Sequence, residues 1–286
     1  MWSLSECIPW MTLGLAESVA IVTLNLCTII VFISNRNLRK RSMYLVINLA
    51  VVDMFVGGAV IINLFYWPGA LCNLFKRHSV EVVVLGFLFT IASLINITII
   101  ALERVHATFF PLRHRVLEKW VYRLMIAVVW VISGLFAIAS KGLPTYHYVI
   151  FTFLSILPLV ICISYTSIVI KVRCRVQPQH HGAASRERKL TMTLLIVTVV
   201  SLVLYLPHVI WHGALYISKS EIWWSLTSSV AYNLDIALLF LLYANSLVNP
   251  ILYAIRMPEY RSAVLALFRK RPQQQREVEV LRLREM

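Results

Sequence analysis

Seven polar side chains stand inside runs of sequence that are otherwise apolar, and their types point to ion or hydrogen-bond chemistry where water is scarce. Asp53 is the sharpest case, interrupting AsnLeuAlaValValAspMetPheValGly. An acid at the centre of a membrane helix costs about 2.5–3.5 kcal/mol on insertion scales. Such a group must face other protein and find partners there. Candidates from the other apolar runs are Asn25, Ser93, Asn96, Asn245, Ser246 and Asn249. A carboxylate ringed by hydroxyl and amide oxygens is the donor set of a hard cation, and a protonated Asp in a hydrogen-bond network draws on the same residues. The residue types leave both open.

A second constellation is IleAlaLeuGluArgValHisAla, where Glu103 and Arg104 stand side by side at the end of an apolar run. An ordinary interfacial anchor pair would look the same, because long basic side chains snorkel cheaply. A further acid, Glu187, lies in ArgGluArgLys before another apolar run. An Arg able to pair with its neighbour or with an acid on a different helix is a candidate two-state latch. Near the end, AsnProIleLeuTyr closes on Tyr253, and Pro250 breaks the helical hydrogen bonding there. Pro158 and Pro207 add two more kinks, so the second half is expected to flex.

The elements that must position these residues follow from composition. The chain has 286 residues, is 59% apolar and only 14% charged, whereas soluble domains run about 45–50% apolar and 25% charged. Seven stretches reach the roughly 20 apolar residues a spanning helix needs: about 12 to 34, 43 to 66, 80 to 106, 121 to 141, 147 to 172, 189 to 216 and 229 to 256. The expected fold is therefore all-α, a seven-transmembrane helix bundle over residues 1–256, followed by a short amphipathic helix and basic tail over 257–286. In that tail Tyr260, Val264, Leu267 and Phe268 share one face of Glu259 to Arg271, which suits the inner membrane surface. The connection 173 to 188 is polar and breaker-rich and reads as a flexible loop.

Charge sets the expected orientation. Of the 27 Lys and Arg residues, 23 fall after spans 1, 3 and 5 or in the tail, and only Lys76, Arg77, Lys141 and Lys219 fall on the other side. Short cytoplasmic loops are the basic ones, which places the N-terminus outside, the C-terminus inside, and the net charge of +14 against cytoplasm and anionic lipid rather than nucleic acid. MetTrpSerLeuSerGluCysIleProTrp has no basic region ahead of the first apolar run, so no cleavable signal peptide is expected. The one glycosylation triplet, Asn96-Ile97-Thr98, falls inside a span. With Cys27 and Cys162 inside spans and Cys174 on the cytoplasmic side, Cys7 and Cys72 form the sole possible extracellular disulfide, or remain two unpaired thiols.

These residues resemble the rhodopsin-like (class A) G-protein-coupled receptors along nearly the whole chain. Asn25, Asp53, GluArgVal at 103 to 105 with Pro111-Leu112-Arg113, Trp130, Pro158, Pro207 and AsnProIleLeuTyr at 249 to 253 are similar to the family's one-per-helix signatures in order and spacing. The resemblance implies a cell-surface receptor that binds a small extracellular ligand and activates heterotrimeric G proteins, with arrestin as a further partner and no enzymatic activity. It assigns Asp53, Ser93, Asn245 and Asn249 to a site for Na+ as an allosteric ion, with no required cofactor. Glu103, Arg104, Glu187 and Tyr253 become activation and coupling residues.

Departures bear on mechanism. Glu103 stands where the family usually has Asp, and Val105 where it has Tyr. Ser79 occupies the position of the family's bridging cysteine, and the loop at about 142 to 146 has no Cys. A short, cysteine-free second loop is similar to melanocortin-type receptors, but no closer subfamily follows. Tyr205 replaces the sixth span's tryptophan and Ser201 the aromatic below it. Tyr165 follows Pro158 by seven residues instead of eight, so the inward role of the family's tyrosine does not carry over by position.

For the ligand, Gly86 replaces the counter-ion Asp of amine receptors, Asp235 is a possible substitute, and the seventh span lacks the Lys that would bind retinal covalently. The pocket candidates are Phe87, Thr90, Tyr205, His208, Trp211, His212, Asp235, Leu239 and Tyr243, aromatic walls with a few polar groups that suit a small amphipathic molecule. Trp223 and Trp224 belong to the interfacial belt. A transporter would show internal repeats and paired broken helices, and the sequence shows neither. A receptor fold that no longer signals, acting as decoy or partner, fits the same residues.

Overall fold

The computed structural model describes residues 4–35, 38, 41–71, 80–139, 146–174, 183–217 and 229–267. They form α1 (Leu4–Ser34), α2 (Met43–Leu71), α3 (Val80–Phe109), α4 (Pro111–Val116), α5 (Lys119–Ala139), α6 (Tyr146–Cys174), α7 (Ala183–Ile217) and α8 (Ser229–Arg256), with a short α9 over 258–267. All but α4 and α9 contain a stretch long and apolar enough to cross a bilayer, seven in total among the described residues. The architecture is thus the expected seven-helix bundle with a short helix after it.

α3 runs through the middle and touches α2, α5, α6 and α7, while α8 packs on α1, α2 and α7. This arrangement gives residues on α2, α3 and α8 a common interior. The outer surface is apolar instead: Leu135, Ile138, Ile163, Ile210 and Val230 are each more than half exposed. Apolar surface of that extent would drive a soluble monomer to aggregate; against lipid it is the natural exterior. Between α1 and α2 the helices approach closely at Gly57, where a Cβ would lie 2.9 Å from Ile21 Cγ2 and 3.0 Å from Val22 Cγ2. Small residues at such crossings are how membrane helices gain dispersion contact.

Three local features differ from the sequence reading. The expected loop at 173 to 188 is helical at both ends, because α6 runs to Cys174 and α7 begins at Ala183; AlaAlaSerArgGluArgLys is made mostly of good helix formers. A separate helix, α4, follows α3 at once with Pro111 at its first position, where the missing N–H costs nothing. Tyr165 does face inward, 5% exposed on a stripe with Leu157, Ile161, Ser164 and Ile168. A seven-residue offset is close to two helical turns, so Tyr165 shares the buried face of Pro158. In α9, Tyr260 is buried and Leu267 is 40% exposed; Phe268 lies outside the described residues.

Candidate functional site

Three polar layers are stacked along the bundle interior. In the middle, Asp53 is fully buried and accepts hydrogen bonds from Ser93 Oγ at 2.8 Å, Ser246 Oγ at 2.8 Å and Asn249 Nδ2 at 2.8 Å. Three helices thus converge on one carboxylate. Ser246 and Asn249 stand three apart on α8, on one face of the helix. Asn245, expected as a direct member of this set, is rotated about 100° from Ser246. It does not bond Asp53 and instead lines an adjacent small cavity. Asn25 and Asn96 are also not partners of Asp53. Asn25 Nδ2 donates to the carbonyls of Ile21 and Ser246, and Asn96 joins Asn48, the Leu45 carbonyl and, through Asn48, Trp130. Asn96 is buried, which rules out its triplet as a glycan acceptor in the folded protein.

The cavity beside Asp53 has room for about one water-sized particle and is lined by Val56, Thr90, Ser93, Leu94, Tyr205, Leu242, Tyr243, Asn245 and Ser246. It joins three of the expected ligand-pocket residues, Thr90, Tyr205 and Tyr243, to the polar centre. Of its lining, Asn245 Oδ1 and the Tyr205 hydroxyl are buried without a hydrogen-bond partner among the described residues, as is Oδ1 of Asn249, whose Nδ2 holds Asp53. Buried polar atoms are nearly always satisfied, and uncommitted amide oxygens on the helix that holds Asp53 are the donor type that hard cations take. The residues present therefore fit the expected ion.

At the end of α3, Arg104 and Glu103 are both 3% exposed. The Arg104 guanidinium donates two hydrogen bonds, from Nε and Nη2, to the Glu103 carboxylate. Glu103 also accepts from the Tyr122 hydroxyl at 3.3 Å and lies 3.3 Å from His114 Nε2 on α4. Arg41 Nη1 donates to the Leu117 carbonyl at 2.5 Å, tying the segment after α1 to the one after α4. Glu187, expected as a second partner of Arg104, lies in the first turns of α7, and its side chain falls outside the described residues. Tyr253 is buried, edge-on to Phe32 and Tyr260 with ring centroids at 6.3 and 6.2 Å. The Tyr260 and Thr28 hydroxyls are 2.8 Å apart, so α9 is fastened to α1 and α8.

Toward the opposite end, His208 and His212 stack with centroids 4.3 Å apart, and His212 Nε2 lies 3.0 Å from Asp235 Oδ1. Asp235 thereby faces an imidazole, with its Oδ1 making no hydrogen bond. Trp211 and Leu239 are half-buried. Phe87, expected in the pocket, is 45% exposed. Gly86, one residue before it, is buried. Cys27 and Cys162 are free thiols, while the expected Cys7–Cys72 pair lies outside the described side chains.

Several residues were missed by sequence reasoning. Tyr122 and His114 carry no signal at sequence level, since nothing marks which residue of a later helix will reach Glu103. Glu17 was detectable, because it is an acid inside the first apolar run, as Asp53 is in the second.

A bundle of this order with these signatures is a membrane receptor. The chain belongs to the 7 transmembrane receptor (rhodopsin family), whose model matches residues 24–141 and 139–253. It is similar to the histamine H2 receptor of Canis lupus familiaris, 27% identical over 83% of this chain and 73% of that one. It is also similar to the substance-K receptor of Mus musculus, 25% identical over 91% of this chain and 75% of that one. The family makes the chain a multi-pass receptor of the cell surface, and its relatives are receptors rather than enzymes.

Proposed function

We propose that this receptor binds a small extracellular ligand between α3, α7 and α8 and signals to a heterotrimeric G protein at the Arg104 end, with the N-terminus outside and the basic face in the cytoplasm. Arrestin is a second partner of the same cytoplasmic face. The observation that carries this reading is the buried Glu103–Arg104 fork, which neutralises the arginine and keeps it folded against its own helix. A transducer needs that arginine released, so the fork defines a resting state from which activation departs. Na+ belongs to the same state. Asp53, the Ser93 and Ser246 hydroxyls and the Asn245 and Asn249 carbonyl oxygens would hold it, and the ion would supply the positive charge that the neutral donors around Asp53 lack.

The relatives are named for histamine and substance K, two different ligands, so their names do not select one for this chain. Coupling is tested by G-protein nucleotide exchange on the unliganded receptor in membranes at matched surface expression. Glu103→Gln raises basal exchange several-fold, because the fork loses its charge, while Arg104→Ala lowers it to background. An Arg104→Ala receptor with the same exchange as wild type removes G-protein coupling and leaves a receptor fold that acts as decoy or partner.

A further inference from the structure

Glu103 has three polar neighbours, and they differ in what each can offer once the fork opens. Arg104 supplies two hydrogen bonds from the same helix. The Tyr122 hydroxyl of α5 and Nε2 of His114 on α4 both lie 3.3 Å from one oxygen, Oε1. The Glu103 side chain is 2% exposed, so when Arg104 departs its charge meets no water to replace the guanidinium. Stranding a buried charge is strongly unfavourable, and a phenol hydroxyl brings no charge.

His114 is the neighbour that can. Imidazole is the side chain whose ordinary titration gives it a positive charge within the physiological pH range. That of His114 is 17% exposed, which lets solvent protons reach it while the carboxylate stays covered. Its place is fixed locally. Pro111 opens α4 directly after α3, the His114 N–H bonds the Phe110 carbonyl at 2.9 Å, and the His114 ring lies 5.7 Å from that of His106 on α3. The other charged groups here are engaged elsewhere or turned to solvent. Arg113 lies over the Phe110 ring and Lys171 of α6 over the Phe109 ring, Arg41 donates to the Arg115 and Leu117 carbonyls, and Arg115, Glu118 and Lys119 are exposed. Tyr165 of α6 is joined to Thr198 of α7, and the charged side chains from Arg186 to Lys189 on α7 lie outside the described residues.

We propose that His114 takes over the Glu103 carboxylate when Arg104 leaves it, binding one proton from the cytosol as it does so. The inference rests on the fork as a resting state, as argued above, and names the group that makes its opening tolerable. With the fork closed, Arg104 already neutralises Glu103, and a second cation beside it is repelled by the guanidinium. With the fork open, the carboxylate faces His114 alone, and an imidazolium there restores neutrality. The proton comes from solvent and adds to the ring nitrogen that the neutral imidazole leaves unprotonated; Glu103 stays ionised throughout. Opening therefore consumes a proton. By linkage the open-to-closed ratio rises as pH falls, by up to tenfold per pH unit for one proton.

Thermal unfolding of the intact receptor in lipid nanodiscs tests the takeover without any transducer, using Arg104→Ala to hold the fork open. From pH 8 to pH 6 the melting temperature of Arg104→Ala rises by several degrees relative to wild type, a comparison that cancels groups titrating in both. The rise disappears in Arg104→Ala/His114→Gln, where glutamine keeps a neutral donor that cannot be charged. It persists in Arg104→Ala/His106→Gln, which separates His114 from the imidazole beside it. Should Arg104→Ala fail to express, Arg104→Gln takes its place in all three receptors. Basal G-protein nucleotide exchange, corrected for the G protein alone at each pH, then increases several-fold more between pH 8 and pH 6 in wild type than in His114→Gln. The proposal is overturned if the open-fork receptor shows no rise relative to wild type, if the rise survives His114→Gln, or if it is lost in His106→Gln. A rise that depends on His114, in a receptor with no exchange at any pH, supports the takeover and counts against G-protein coupling.

Discussion

Asp53 and Glu103 are both buried acids inside membrane-crossing helices, and their partners differ in kind. Asp53 is held by two hydroxyls and an amide from α3 and α8, Glu103 by a guanidinium on the next residue. Neutral donors stabilise a carboxylate but leave its negative charge uncompensated, which is the basis for proposing a cation in the middle layer. The fork at the end of α3 compensates its own charge and attracts nothing further; its value lies in being broken. On the proposed function, this difference suits one site to an ion and the other to a transducer.

The largest effect should come from breaking the fork. Removing one partner of a buried ion pair costs about 3–5 kcal/mol, mostly because the other charge is left uncompensated. Glu103→Ala should therefore lower the melting temperature of the purified receptor more than any single change around Asp53, and the Glu103→Ala/Arg104→Ala double variant should recover part of the loss in a double-mutant cycle. A double variant less stable than the sum of both singles would show that the fork is not the unit that matters.

Next comes the charge at the centre. If the donors around Asp53 leave room for a cation, NaCl stabilises the wild type more than choline chloride at equal ionic strength, through mass action on the resting state. Asp53→Asn should abolish the difference between the two salts. Equal responses in wild type would make the middle layer a purely hydrogen-bonded network.

The smallest effect discriminates neighbours on α8. Ser246→Ala removes a hydrogen bond to a carboxylate, worth about 1.5–3 kcal/mol, and should cost more thermal stability than Asn245→Ala, whose side chain does not touch Asp53. The ranking reverses if Asn245 is the direct partner, as the family pattern suggests. Differential scanning fluorimetry of both variants decides it.

Much of this was legible beforehand, and the illegible parts share a cause. The seven spans, the all-α class and the interior placement of Asp53, Arg104, Asn249 and Tyr253 could be read from apolar run length and from polar residues misplaced within those runs. Helix ends were less legible, as the extension of α7 back to Ala183 shows, because polar helix formers carry no apolar periodicity.

What the sequence determined alone is set by one-dimensional physics. Burying unpaired backbone in lipid is so costly that about 20 apolar residues must become a helix, and a lone acid among them must find company. Which company it finds is a matter of helix rotation and packing. Only the tertiary structure chose Ser246 over Asn245 for Asp53, gave Glu103 the Tyr122 hydroxyl and His114, and set Asp235 against His212. Each choice turns on about 100° of rotation per residue and on which helix lies alongside, and neither quantity is written in the order of the residues.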